Sequence, residues 1–262
     1  MKQKIIAENR EHLREIITAQ IDYFGNKCDL NHIDVSRVTD MTEIFFSKTF
    51  NGDISRWDVS NVITMKGLFK SCPFNGDISK WNTSKIRDMS YMFFKSQFNN
   101  NISKWNTSKV ENLDYTFAYS KFNGDISKWN TCNVKSMHCS FIYSDFIGDL
   151  SKCNVSYVII LAGAFNSSKF TGDISDWDVS SVEAMQGVFK NSSFTGDLKN
   201  WKPYSLNFSS EFLDNCHAPI PYWLNFEEKE NRNEAIRKYQ LTKELNFNLP
   251  VNNTEIIKRI KL

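Results

Sequence analysis

A phenylalanine recurs every 24 residues, at Phe50, Phe74, Phe98, Phe122, Phe146, Phe170 and Phe194, without a slip. Tryptophan keeps the same step at Trp57, Trp81, Trp105, Trp129, Trp177 and Trp201, with Cys153 in the one missing slot. A second phenylalanine column runs through Phe45, Phe69, Phe93, Phe117, Phe141, Phe165 and Phe189. Self-similarity at a fixed period implies a unit stacked on itself, because one unit this short cannot bury its own apolar face. Read as a consensus, the unit is F-x-G-D-I-S-K-W-[DN]-[VT]-S-x-V-x-x-M-x-x-x-F-x-x-S-x. It begins in weaker form at Asn26 and fades after Trp201.

These columns predict a repeat solenoid of about eight coils over residues 26–217. Ile54-x-x-Trp57-x-Val59 has the spacing of a leucine-rich repeat and predicts a short strand with Trp57 and Val59 turned inward. Val62, Met65 and Phe69 fall three and four apart, as on one face of a helical turn. The Asn-Gly-Asp or Thr-Gly-Asp after the first phenylalanine predicts a turn into the strand in which glycine can adopt a positive φ. Coils stacked about 4.8 Å apart would build an array on the order of 40 Å long.

Both ends predict helical caps, since terminal coils otherwise expose core and unpaired backbone. Residues 1–25 form the N-terminal capping segment, with Ile6, Leu13, Ile17 and Phe24 at helical spacing over 5–24. Residues 218–262 form the C-terminal cap or tail. Within it, 227–245 reads as a charged helix with Ala235, Ile236 and Tyr239 as a thin apolar stripe, and Thr254-Glu255 as the start of a last short helix.

The units Phe50-Asn-Gly-Asp-Ile-Ser-Arg-Trp-Asp-Val-Ser-Asn-Val62 and Phe170-Thr-Gly-Asp-Ile-Ser-Asp-Trp-Asp-Val-Ser-Ser-Val182 resemble the BspA-like leucine-rich repeat family. The likeness is to its short-repeat type, found in mycoplasma lipoproteins and bacterial surface proteins. Asn26-Lys-Cys-Asp-Leu-Asn-His-Ile-Asp-Val-Ser36 is similar to the segment that opens such arrays. The resemblance implies a leucine-rich-repeat-type solenoid that binds other proteins or host surfaces without catalysis.

Composition narrows the function classes. Thirty-two basic against 30 acidic residues argue against a strongly cationic nucleic-acid binder. No run approaches the roughly 18–20 apolar residues that cross a bilayer, so no membrane insertion is expected. The start, Met1-Lys2-Gln3-Lys4, does not read as a secretory leader, and six cysteines without a C-x-x-C pair fit a reducing compartment. A cytoplasmic location follows as the expectation, with a cell surface reached by non-classical export as the alternative. No phosphate loop, dinucleotide fingerprint or G-x-S-x-G is present, so neither an enzyme nor a cofactor is expected. Cys132, His138, Cys139 and Cys153 lie close in sequence, but the register points Cys153 inward and Cys132 outward, against a shared zinc site.

Several columns are polar. Asp53, Asp77, Asp125, Asp149, Asp173 and Asp197 align, as do Asp58, Asn82, Asn106, Asn130, Asn154 and Asp178, and both suit capping of turn N–H groups better than calcium binding. Arg56, Lys80, Lys104, Lys128 and Lys152 form a basic column, reversed at Asp176. It suits solvation first, an acidic protein second and a phosphate backbone last, because the acidic column beside it repels phosphates. Tyr115, Tyr119, Tyr143, Tyr157, Ile159 and Ile160 break the repeat, occupying slots that are mostly polar elsewhere. Aromatic and apolar exposure of this kind marks protein interfaces, so these six are the candidate partner-binding residues. The functional expectation is a rigid, non-enzymatic protein-binding module, in one version an intracellular inhibitory or immunity-type binder. The alternatives are a surface adhesin-like protein and a binder of nucleic acid, or of a nucleic-acid enzyme, through the lysine column.

Overall fold

A computed structural model describes residues 4–248, with side chains to Leu245. Numbering 24-residue coils from Asn26 gives coil 1 as 26–49 and coil 8 as 194–217. Each coil rests on the next through a parallel bridge: Asp40 pairs with Thr64, Thr64 with Asp88, and so on through Asn112, Ser136, Ile160 and Ala184 to Phe208. The chain is a repeat protein whose strongest regularity is a set of stacked aromatic columns.

Backbone hydrogen bonds divide into two alternating sets, as they must when little regular secondary structure is available. In coil 2 the N–H groups of Met65, Gly67, Phe69 and Ser71 donate to Asp88, Ser90, Met92 and Phe94 of the next coil at 2.8–3.0 Å. The intervening Leu68, Lys70 and Cys72 donate three residues back, to Met65, Gly67 and Phe69. That second set consists of β-turns. The left-handed φ at Gly67 and Ser71, third in their turns, is the type II arrangement. Where the Val62/Met65/Phe69 spacing predicts a helical turn, the coils therefore carry overlapping β-turns, and among the described residues no helix lies within the repeat. Three-residue spacing is common to both, which is why the pattern alone did not separate them. Among the described residues no strand lies at 54–59, and the single bridges fall outside it, at Asp53 and Thr64, although Trp57 and Val59 do face the core as alternation requires.

The core is a set of ring ladders. Tryptophans stack with centroids 6.3–6.5 Å apart and planes within 7° of parallel, from Trp57 to Trp129 and again from Trp177 to Trp201. The Phe50 column repeats at 6.0–6.3 Å. Each indole N–H donates to a carbonyl 27 residues earlier: Trp57 to Leu30, Trp81 to Ile54, Trp105 to Ile78, Trp129 to Ile102, Trp177 to Leu150 and Trp201 to Ile174, at 2.9–3.2 Å. Cys153 has no indole to give Ile126, and a void of about 20 Å³ lies beside it among Trp129, Leu150 and Phe141. Trp223 closes the far end by donating to Leu198 at 3.0 Å.

The glycines of the x-Gly-Asp turns serve a different purpose from the one expected. Gly52, Gly76, Gly124, Gly148, Gly172 and Gly196 do not lie at positive φ. They lack a side chain because the phenylalanine two residues earlier folds back over them; a Cβ at Gly172 would sit 2.8 Å from the Phe170 ring and 3.3 Å from the Gly148 carbonyl oxygen.

The N-terminal segment divides in two. β1 (Ile5–Ile6) pairs in parallel with β2 (Ile33–Asp34) on coil 1, and α1 (Arg10–Phe24) follows. The helix starts later than its apolar spacing predicts because Asn9 caps it, Oδ1 accepting the His12 N–H at 3.0 Å. Leu13 and Ile17 are buried against the coils, whereas Phe24 is exposed. At the other end a short 3₁₀ turn, Tyr222–Asn225, leads into α2 (Lys229–Asn248), which inserts Ile236 into the core. Buried Arg232 donates to the carbonyls of Leu206 and Phe226, tying α2 to the last coil. The helix predicted at Thr254-Glu255 lies outside the described residues.

Two stability measurements follow. Trp129→Ala removes a buried ring and its hydrogen bond to Ile102, and should cost about 3–5 kcal/mol in chemical denaturation. Gly172→Ala should cost about 1–3 kcal/mol, because Phe170 cannot keep its place over a Cβ; an unchanged midpoint would show that the ring moves freely.

Candidate functional site

Two left-handed residues, four apart, occur in every coil after its bridge. The pairs run Glu43/Ser47, Gly67/Ser71, Tyr91/Lys95, Tyr115/Tyr119, Cys139/Tyr143, Gly163/Ser167, Gly187/Asn191 and Glu211/Asn215. Glycine takes this conformation freely, whereas an L side chain there costs on the order of 1 kcal/mol. Coils 3 to 5 nonetheless place Tyr91, Tyr115, Tyr119 and Tyr143 in it, at φ 52–57. The strain is offset by contact between coils. Tyr91 stacks on Tyr115 at 4.6 Å and Tyr119 on Tyr143 at 4.8 Å, while Phe94 meets Tyr119 edge-on at 5.6 Å.

Cations border this ladder. Lys70 Nζ lies 4.7 Å from the Phe46 ring centre and 5.3 Å from Tyr91, and Lys95 Nζ lies 5.5 Å from Tyr119. Distances under about 6 Å allow cation–π attraction, so the lysines hold the rings in place. The inner ring is also fixed by hydrogen bonds. His138 Nδ1 is 2.9 Å from the Ala162 carbonyl, so that nitrogen carries the proton and Nε2 accepts from the Tyr115 hydroxyl at 3.1 Å. The Asp114 carboxylate accepts the His138 backbone N–H at 2.9 Å and the Ser136 hydroxyl. Burial, with the Cys139 sulfur beside it, pushes the Tyr115 hydroxyl well above the ordinary phenol range. Tyr115 is thus an anchor, while Tyr119 and Tyr143 are exposed to solvent, Tyr143 by 53%.

The six predicted interface residues therefore divide. Tyr115, Tyr119 and Tyr143 belong to one ladder. Tyr157, Ile159 and Ile160 surround the bridge position of coil 6, and no ring contact joins them to the ladder among the described residues. Phe46, Lys70, Tyr91, Phe94 and Lys95 complete the ladder and were missed. Tyr91 was legible, since it stands one period before Tyr115; Phe94 was not, because its neighbours in the column are Lys70 and Ala118 and the only other phenylalanine there, Phe46, stands two periods away.

The cysteine and histidine cluster has no metal-binding geometry. Both His138 nitrogens are engaged as described, Cys139 Sγ lies 3.7 Å from Nε2, and Cys153 belongs to the core with its thiol pushed up to about 11 by burial. No group of three or more such ligands is assembled among the described residues.

The polar columns cap turns. Oδ1 of Asp53, Asp77, Asp125, Asp149 and Asp173 accepts the N–H of the serine two residues on, at 2.8–2.9 Å. Asp58, Asn82, Asn106, Asn154 and Asp178 do the same at 3.0–3.2 Å. The five cations of the basic column, Arg56, Lys80, Lys104, Lys128 and Lys152, are exposed on a different part of the coil from the tyrosines. Arg56 approaches Asp29 at 3.8 Å, and Lys80, Lys128 and Lys152 act electrostatically on Asp77, Asp125 and Asp149. Cations so closely interleaved with carboxylates offer a phosphate backbone little net attraction.

Serine hydroxyl and backbone N–H groups hold Asp77, Asp125 and Asp149 below the usual carboxylate range. A depressed folded-state pKa contributes stability above the unfolded value near pH 4 and loses it as pH falls through the folded value. The melting temperature should therefore fall as pH is lowered from about 5 towards 2. Asp77→Asn, Asp125→Asn and Asp149→Asn combined should flatten that slope in a thermal melt.

No curated protein and no solved structure shows a significant match to the chain. Three overlapping stretches, residues 15–121, 74–169 and 140–243, match one family, described as "Mycoplasma protein of unknown function, DUF285". The overlap of the three matches reflects the 24-residue period, since a repeat array fits its family in more than one register. With most of its length matched, this chain belongs to the DUF285 family of mycoplasma proteins.

Proposed function

We propose that the chain is a rigid, non-enzymatic protein-binding module that holds its partner on the tyrosine ladder of coils 3 to 5. The observation that carries this reading is the run of stacked, partly exposed tyrosines on adjacent coils, at left-handed positions filled by glycine, serine, asparagine, cysteine or charged residues in the other coils. An aromatic patch left open to solvent on a packed stack has the composition of a protein interface. Tyrosine suits the role because it offers a large amphipathic surface with few torsions to immobilise. Here Tyr115 and His138 fix the base of the ladder before any partner arrives, so little ordering entropy is lost on association.

The stack itself is a leucine-rich-repeat-type solenoid related to the BspA-like proteins. The Ile54-x-x-Trp57-x-Val59 spacing, kept from coil to coil, supports that relationship. On this reading the partner is a protein whose contact surface carries an apolar pocket or groove able to take two adjacent tyrosine edges.

Affinity capture from the natural host tests the site. Tyr119→Ala with Tyr143→Ala should reduce recovery of the partner at least about tenfold, since such anchors are each worth about 2 kcal/mol or more. Lys104→Ala with Lys128→Ala should leave recovery unchanged. Equal recovery with both tyrosines removed would sink the assignment.

A further inference from the structure

Coils 6 to 8 depart from the others at the bridge. In coils 1 to 4 the bridge residue is polar and caps the N–H two residues on: Asp40 for Thr42, Thr64 for Lys66, Asp88 for Ser90 and Asn112 for Asp114, at 2.7–3.2 Å. Ser136 keeps the pattern more weakly in coil 5, at 3.4 Å from the His138 N–H. Then the column becomes Ile160, Ala184 and Phe208, none of which can cap. Ile160 and Phe208 are exposed, Phe208 by 59%, with exposed Ile159 and Tyr157 beside Ile160. Three coils in succession thus give up a turn cap for an apolar surface that contributes nothing to the core.

The adjoining column changes at the same coil. Arg87, Glu111 and Lys135 alternate in charge, with Lys135 2.9 Å from Glu111. An acid at position 159 would continue the ladder, but Ile159 stands there, and Glu183 beyond it has no ion-pair partner among the described residues. An apolar centre is therefore flanked by a cation on coil 5 and an unpaired anion on coil 7. A two-fold axis through Ile159 and Ile160 reverses the order of the coils. Coil 5 of one chain then faces coil 7 of the other, and the surface is complementary to itself, as an isologous contact requires.

We propose that a second copy of this chain docks here, with Ile159 and Ile160 packed about a two-fold axis. Lys135 then meets the partner subunit's Glu183, and Glu183 meets the partner subunit's Lys135. The contact is separate from the tyrosine ladder, so it leaves that surface open.

Sedimentation velocity on the full chain, from about 1 µM to about 500 µM, tests this directly. A species of twice the 30.5 kDa chain mass should grow in with concentration. Ile160→Asp is the decisive variant, because it installs the cap seen at Asp40 and Asp88; it should melt no lower than the parent while weakening the dimer roughly tenfold or more. Lys135→Glu and Glu183→Lys should each weaken the dimer and together restore it. Tyr119→Ala with Tyr143→Ala should leave it unchanged, which separates this contact from the partner site. A chain that stays monomeric throughout, a dimer that survives Ile160→Asp, or charge reversals that fail to rescue one another would overturn the proposal.

Discussion

Six of the eight coils are tied to the coil before by a buried indole that donates to one of its carbonyls. Stacked rings alone fix spacing but tolerate sliding, because dispersion between parallel faces varies gently with offset. The indole N–H removes that freedom: it is buried, must be satisfied, and in each case bonds the carbonyl 27 residues earlier. The turns and alternate backbone bonds then fall into register around it. Trp223 ends the series from outside the repeat by taking the same kind of bond to Leu198. Arg232, bonding the Leu206 and Phe226 carbonyls, seats α2 over the last coil.

A core built this way makes coil identity a matter of the surface. Inward columns vary little, and the exception at Cys153 leaves a void rather than a site. Outward columns are free to change. The acidic and asparagine columns use their side chains on their own backbone. The charge ladder Arg87, Glu111, Lys135 and its counterpart Lys121, Asp145, Lys169 link neighbouring coils. Being largely exposed, such pairs each contribute little, and they matter here chiefly as a regular background. Against that background two departures stand out: tyrosines held on strained turns in coils 3 to 5, and apolar residues replacing turn caps in coils 6 to 8. They occupy different parts of the coil, one at the left-handed turns and the other at the bridge.

How far the sequence is legible depends on whether a residue's role repeats. The period, the inward direction of Trp57 and Val59, the capping role of the aspartates and the existence of α1 and α2 all follow from spacing and residue type. The tyrosines announce themselves as exceptions, yet their partition into two groups does not. Tyr143 and Tyr157 are 14 residues apart in the chain, but the turn and the bridge carry them to different parts of the surface.

Sequence by itself determined the repeat, its length and its buried columns, because burial must recur wherever a coil meets a coil. Tertiary structure decided what the backbone does between those columns. A three-residue apolar spacing is satisfied equally by a helix and by overlapping β-turns; the carbonyls of the next coil, offered at every second residue, select the turns. The same holds for the x-Gly-Asp glycines, where a folded-back phenylalanine ring, not a positive φ, excludes a Cβ. In both cases the deciding contact comes from packing, which spacing along the chain does not encode.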